Sequence, residues 1–188
     1  MQNKFQNKYR IPSARLQTWD YANNGAYFIT ICTQNREHFF GNIKNGIMQL
    51  SEIGKLAAQF WYEIPNHFPM VELGNFVVMP NHVHGILIID KTNDEPFVET
   101  RQCLVSNIET NSIIGSSRFQ NQGKNTISSI VGSYKSIVTK MSRQINPNFG
   151  WQSRFHDHII RNSESFDNIQ HYIEQNPSKW KEDTFYKL

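Results

Sequence analysis

The run Val77-Val78-Met79-Pro80-Asn81-His82-Val83-His84-Gly85-Ile86-Leu87-Ile88-Ile89 constrains this chain more than any other stretch. Aliphatic, β-branched residues flank Met79-Pro80-Asn81, a composition that suits a tight turn between two antiparallel strands. Side chains alternate faces along a strand, so His82 and His84 must project from the same side with their imidazoles adjacent. That is half a metal site. It is equally the pattern of a hydrogen-bonded polar contact, because imidazole is often half-buried without a metal. Either way, a polar pair at the mouth of a buried strand needs partners.

With 188 residues, 38% hydrophobic and 13% aromatic, the chain can supply one core, and a single domain over 1–188 is expected. The apolar run at 83–89 is far shorter than the roughly 20 residues that cross a bilayer, and the amino terminus is polar and basic. A cytoplasmic protein with no membrane partner is expected. Cys32 and Cys103 stand far apart without Cys-x-x-Cys spacing, which suggests neither a disulfide framework nor a zinc knuckle.

A formal charge of +3 hides an uneven distribution. Residues 1–19 carry Lys4, Lys8, Arg10 and Arg15 with no acid. Residues 110–156 carry Arg118, Lys124, Lys135, Lys140, Arg143 and Arg154 with no acid. One such segment is usually a solvated face, whereas two together favour a polyanionic partner, most simply the phosphates of DNA or RNA.

The elements alternate. Ala26 to Gln34 reads as a strand, and Lys44-Asn45-Gly46 as a turn before the short run Ile47 to Leu50. Ser51 caps a helix whose apolar residues Ile53, Leu56, Ala57, Phe60, Trp61 and Ile64 fall at helical spacing, stopping before Pro65. Strands are expected at Val71–Met79 and His82–Asp90, then a polar, mobile insertion at about 91–125. From Ile127 to Ile145 a second helix places Ile130, Val131, Tyr134, Val138 and Met141 on one face. Tyr134 therefore points toward the sheet, where a tyrosine is ordinarily a core residue unless something reactive lies opposite. Trp151 to Arg161 reads as a strand carrying a rival pair, His156 and His158, around a charged Asp157. A last helix, capped by Ser163 or Ser165, ends at Asn176-Pro177, and Trp180 is expected to close over the core.

This order implies an α+β fold, an antiparallel sheet with helices packed on it around a ferredoxin-like βαββαβ core. Several ordered segments carry a resemblance that spans nearly the whole chain. They are Tyr21 with Gly25-Ala26-Tyr27-Phe28-Ile29-Thr30, Met79-Pro80-Asn81-His82-Val83-His84, Gly132-Ser133-Tyr134-Lys135-Ser136, Trp151-Gln152 with Phe155-His156-Asp157-His158-Ile159-Ile160-Arg161, and Tyr172-Ile173-Glu174-Gln175-Asn176-Pro177. In these the chain resembles the single-tyrosine transposases of the HUH superfamily, and most closely their REP-associated tyrosine transposase branch.

The resemblance implies His82 and His84 as ligands of Mg²⁺ or Mn²⁺, Tyr134 as nucleophile, and cleavage of single-stranded or hairpin DNA through a covalent 5′-phosphotyrosine, by a monomer or homodimer. A bound cation polarises a phosphate oxygen, and the tyrosine, with a pKa of about 10, must lose its proton near the moment of attack. Related enzymes often place a third ligand one helical turn beyond the tyrosine. Four residues after Tyr134 stands Val138, which cannot ligate, so Asp157, Glu72, Asn81 or water are the alternatives. Arg10, Arg15, Arg118, Lys135, Lys140 and Arg143 are expected to contact nucleic acid, with Trp19, Tyr21 and Phe119 stacking on bases. Two other readings stay open: a non-catalytic binder of palindromic DNA, and a metal phosphoesterase that uses water.

Overall fold

Strand β1 (Gly25–Cys32) runs through the middle of the molecule and pairs antiparallel on both sides. The computed structural model describes residues 21, 23–91 and 125–186. In chain order the remaining elements are β2 (Gly41–Lys44), β3 (Ile47–Leu50), α1 (Glu52–Tyr62), α2 (Ile64–His67), β4 (Val71–Met79), β5 (His82–Ile89), α3 (Ile127–Ile145), β6 (His156–Ile160) and α4 (Ser163–Gln175). The main sheet has the order β4-β5-β1-β6, and β2 and β3 form a separate hairpin. With α1 between β1 and β4, and α3 between β5 and β6, this is the expected α+β, ferredoxin-like βαββαβ arrangement.

Local chemistry fixes the boundaries. The Asn45-Gly46 turn has positive φ at both residues, 53° and 75°, as a tight two-residue hairpin turn requires. The Ser51 side chain accepts from the Gly54 N–H and caps α1. Pro65 does not end helical structure there, because proline is tolerated in a first turn and opens the single turn of α2. Helix α4 is capped by Asn162, whose side chain accepts from the Ser165 N–H, rather than by Ser163 or Ser165. The final strand covers only His156–Ile160, and Trp151 makes one isolated bridge to Thr33.

The sheet buries two unequal faces. On one, Tyr27, Ile29, Ile31, Val83, Leu87 and Ile159 pack against Ala57 and Trp61 of α1 and Ile130, Val131, Tyr134 and Val138 of α3. On the other, Ile86 and Ile160 meet Ile173 of α4, with Phe28, Phe166 and Ile169 around them. His82 and His84 alternate with Val83 and Gly85, so they stand on the α4 face. Gly85 is where Trp61 approaches the sheet, and a Cβ there would run into the indole ring.

Residues 1–20 and 92–124 fall outside the described residues. The amino-terminal arm with Arg10, Arg15 and Trp19, and most of the insertion with Cys103, Arg118, Phe119 and Lys124, lie there. Among the described residues no helix is long and apolar enough to cross a membrane.

Candidate active site

The Pro80-Asn81 turn between β4 and β5 sets the first histidine. Asn81, fully buried, donates its amide N–H groups to the carbonyls of Arg36 (3.3 Å) and Phe185 (2.9 Å). Its amide oxygen therefore faces Nδ1 of His82 at 2.8 Å and accepts from it. That bond fixes the tautomer and leaves a lone pair on Nε2 of His82, which is buried and has no hydrogen-bond partner among the described residues. His84 is held likewise, with Nδ1 meeting Thr30 Oγ1 across the β1–β5 register at 2.8 Å.

Both imidazoles are buried and stay neutral. Burial, then the neighbouring His84 and Arg36, hold His82 well below its ordinary value; burial and then His156 bring His84 down to about 3. Neutral imidazole is the ligating form.

A carboxylate completes the cluster. Ligand-type atoms of His82, His84 and Asp183 all lie within 4.8 Å of one another. Asp183 follows the short 3₁₀ turn Trp180–Glu182, and its oxygens accept from Asn176 Nδ2 (2.9 Å) and the Phe185 N–H (2.6 Å). Trp180 and Phe185 cover His82, with ring centroids at 5.9 and 4.8 Å. The amide oxygen of buried Asn176 also has no partner among the described residues. Two nitrogens and a carboxylate form a mixed set that suits a hard divalent cation such as Mg²⁺ or Mn²⁺.

The tyrosine beside this cluster is Tyr172 of α4. Its hydroxyl lies 3.3 Å from Nε2 of His84, its ring packs edge-on against Phe28 at 6.0 Å, and it is 43% exposed. Burial, followed by the charge of Asp183, pushes its pKa up to about 12, opposed by a hydrogen bond from Asn176. Asn176 stands four residues after Tyr172, one helical turn on.

Tyr134 is not brought to the histidines. It lies on the opposite face of the sheet, 2% exposed, with its hydroxyl donating to the Ala57 carbonyl at 3.0 Å and its ring edge-on to Trp61 at 5.3 Å. Burial holds its hydroxyl far above the ordinary tyrosine range. Tyr134, expected as the nucleophile, is thus placed in the core behind the sheet and not beside the histidines.

The proposed third ligands also part company with the site. Asp157 pairs in register with Ile29, which puts it on the Tyr134 face. Glu72 pairs with Ile88 at the far end of the hairpin, and the oxygen of Asn81 is occupied by His82. Exposed His156 and His158 gather no third ligand among the described residues. Cys32 is a buried thiol pushed up to about 11 by burial. Tyr21 packs against the core, 6.0 Å from the ring of Tyr27.

Lys135, Lys140 and Arg143 line one groove of about 530 Å³ beside Trp151, in the α3 layer rather than at the histidines. Lys135 donates to the Gln152 carbonyl at 2.7 Å and Arg143 to the Phe149 carbonyl at 3.0 Å, while Lys140 is exposed.

Tyr172, Asn176 and Asp183 stand at or beside the histidine cluster, and sequence reasoning assigned none of them to the site. A signal for the first two was present in Tyr172-Ile173-Glu174-Gln175-Asn176-Pro177, where a tyrosine precedes an amide by one turn. For Asp183 nothing in the spacing pointed to the histidines.

No protein-family model matches the chain. Among solved structures it is similar to a REP-associated tyrosine transposase bound to a REP hairpin, at a TM-score of 0.53 and 19% identity, covering 93% of this chain and 74% of that one. The two share a fold. An uncharacterized protein of Haemophilus influenzae (strain ATCC 51907 / DSM 11121 / KW20 / Rd) is 37% identical over 177 residues, 93% of this chain and 92% of its own. At that identity over nearly the full length of both, the chain belongs to the same family as the Haemophilus influenzae protein.

Proposed function

We propose that this protein is a metal-dependent tyrosine transposase that cleaves and rejoins single-stranded or hairpin DNA, with Tyr172 as its nucleophile. The observation that carries this is the position of the Tyr172 hydroxyl, 3.3 Å from His84 in a cluster of His82, His84 and Asp183 where His82 Nε2 is buried without a hydrogen-bond partner among the described residues. The shared fold with a transposase seen on a REP hairpin supports it.

His82 and His84 would hold Mg²⁺ or Mn²⁺ together with Asp183 and Asn176. When bound, such a cation supplies Lewis-acid polarisation of a phosphate oxygen. The chain's own residues do the rest. Asn81 and Thr30 orient the two imidazoles, and α4 presents the tyrosine from the side, partly exposed to an incoming strand. Attack by Tyr172 forms an O–P bond and breaks the P–O3′ bond. The 5′-phosphate stays on the tyrosine, and the departing 3′-hydroxyl takes the proton that the tyrosine gives up. The phosphodiester energy is kept in the adduct, so a second 3′-hydroxyl reverses the step without ATP.

Lys135, Lys140 and Arg143 we assign to the phosphate backbone of a bound hairpin, because they share one groove at the surface. Incubation of the protein with a labelled hairpin oligonucleotide and Mn²⁺ tests the reading on a denaturing gel. A metal-dependent covalent protein–DNA band is expected. Cleavage without that band would instead indicate hydrolysis by water, and binding without cleavage a non-catalytic DNA binder.

A further inference from the structure

The second histidine pair, His156 and His158, has no place in the chemistry above, yet it lies beside it. Along α4, Ser165, Asn168, Ile169 and Tyr172 follow one another at i, i+3, i+4 and i+7 and so share a stripe. The first three line a cavity of about 490 Å³ whose opposite wall is Phe28 with His156 and His158 of β6. Phe28 belongs to both sites, with its ring stacked 5.2 Å from His84 and edge-on to Tyr172. Cross-strand rows show how near they are. His158 pairs with Phe28, and two residues on, on the same face, His156 pairs with Thr30, which pairs with His84. Trp180 and Phe185 cover the His82 side. A strand whose phosphate meets Tyr172 therefore has this groove directly next to it.

We infer that the groove between β6 and α4 holds the base of the nucleotide next to the scissile phosphate, and that it selects a base with an exocyclic amino group. The inference rests on the function proposed above. Phe28 and Ile169 give apolar wall against which a base can stack. Glu164 and Asn168 line the same groove. A carboxylate there accepts from an N–H and repels a phosphate, which makes a base the fitting occupant and a second phosphate a poor one. Adenine, cytosine and guanine offer exocyclic amino hydrogens to Glu164; thymine has only its ring N3–H, flanked by two carbonyl oxygens that a carboxylate repels.

The test is fluorescence anisotropy with Tyr172→Phe protein, so that no covalent step intervenes. Hairpin oligonucleotides carry a single-stranded flank in which each nucleotide is replaced in turn by A, C, G and T. At one flank position thymine should bind at least about fivefold more weakly than the best amino-bearing base. Replacing exposed Glu164 and Asn168 together by Ala should erase that difference and leave the thymine oligonucleotide's affinity within about twofold. A flat scan at every position, or discrimination that survives in the double variant, overturns the inference. A covalent adduct in the unsubstituted protein alongside a flat scan sinks the groove alone. Base discrimination without any adduct sinks the strand-transfer reading and keeps the groove, and absence of binding to every oligonucleotide overturns both.

Discussion

The hydroxyl of Tyr172 meets Nε2 of His84 on one face of the sheet, while the hydroxyl of Tyr134 donates to the Ala57 carbonyl behind the other. The two tyrosines sit on amphipathic helices of similar character, and the sheet between them divides their work. One closes the larger core. The other stands at a cluster of neutral imidazoles and a carboxylate.

If Tyr134 is a packing residue, Tyr134→Phe removes one buried hydrogen bond and little else. Urea unfolding should show a loss of about 0.5–1.5 kcal/mol, and formation of a DNA adduct should persist. Loss of the adduct from a variant that remains folded would return chemistry to Tyr134.

Gly85 holds the histidine strand against Trp61. A Cβ at this position would run into the indole and come within 2.9 Å of Phe76, so Gly85→Ala overpacks the core. Its urea midpoint should fall by an amount worth about 1–3 kcal/mol, and an unchanged midpoint would show that the ring moves aside freely.

The buried histidines set the acid limit of stability. His84 titrates at about 3 in the folded chain and near 6.5 when unfolded, so between those values the unfolded state binds the proton that the native state refuses. Stability should therefore rise with pH across that window, by up to about 1.4 kcal/mol per pH unit for each such histidine, and level off above about 6.5. Urea unfolding from pH 4 to 8 measures this, and His84→Gln should flatten the slope. The same depression predicts Mn²⁺ affinity that changes little between about pH 5.5 and 7.5, where an ordinary imidazole would lose ligand to protonation.

Metal binding should stabilise the fold through His82, His84 and Asp183. Mn²⁺ at about 100 times its dissociation constant is worth roughly 2.7 kcal/mol, visible as a rise in Tm. Asn81→Ala, which frees Nδ1 of His82, should weaken Mn²⁺ binding about 10–100-fold by calorimetry. Asp183→Asn should weaken it as well. Unchanged affinity in both variants would place the ion elsewhere.

Much of this was legible in the sequence because it depends on local chemistry. Alternation along β5 fixed the shared face of His82 and His84, the Asn45-Gly46 pair fixed a hairpin, and the apolar period fixed α3 at Ile127–Ile145. The identity of the tyrosine that stands beside the histidines was not local. Hydrophobic period says that Tyr134 points at the sheet, but not at which side of it. That follows from topology, because α1 and α3 pack together over Val83 and Leu87, which leaves the histidine face to α4. Asp183 was beyond reach for the same reason, since only the turn after α4 folds it back to β5.

The most direct measurement compares Tyr172→Phe with Tyr134→Phe on one labelled hairpin oligonucleotide in Mn²⁺, with covalent protein–DNA product read on a denaturing gel. Tyr172→Phe should abolish the adduct and leave noncovalent binding of the hairpin intact, while Tyr134→Phe retains the adduct. An adduct that persists in Tyr172→Phe would contradict the assignment of the nucleophile.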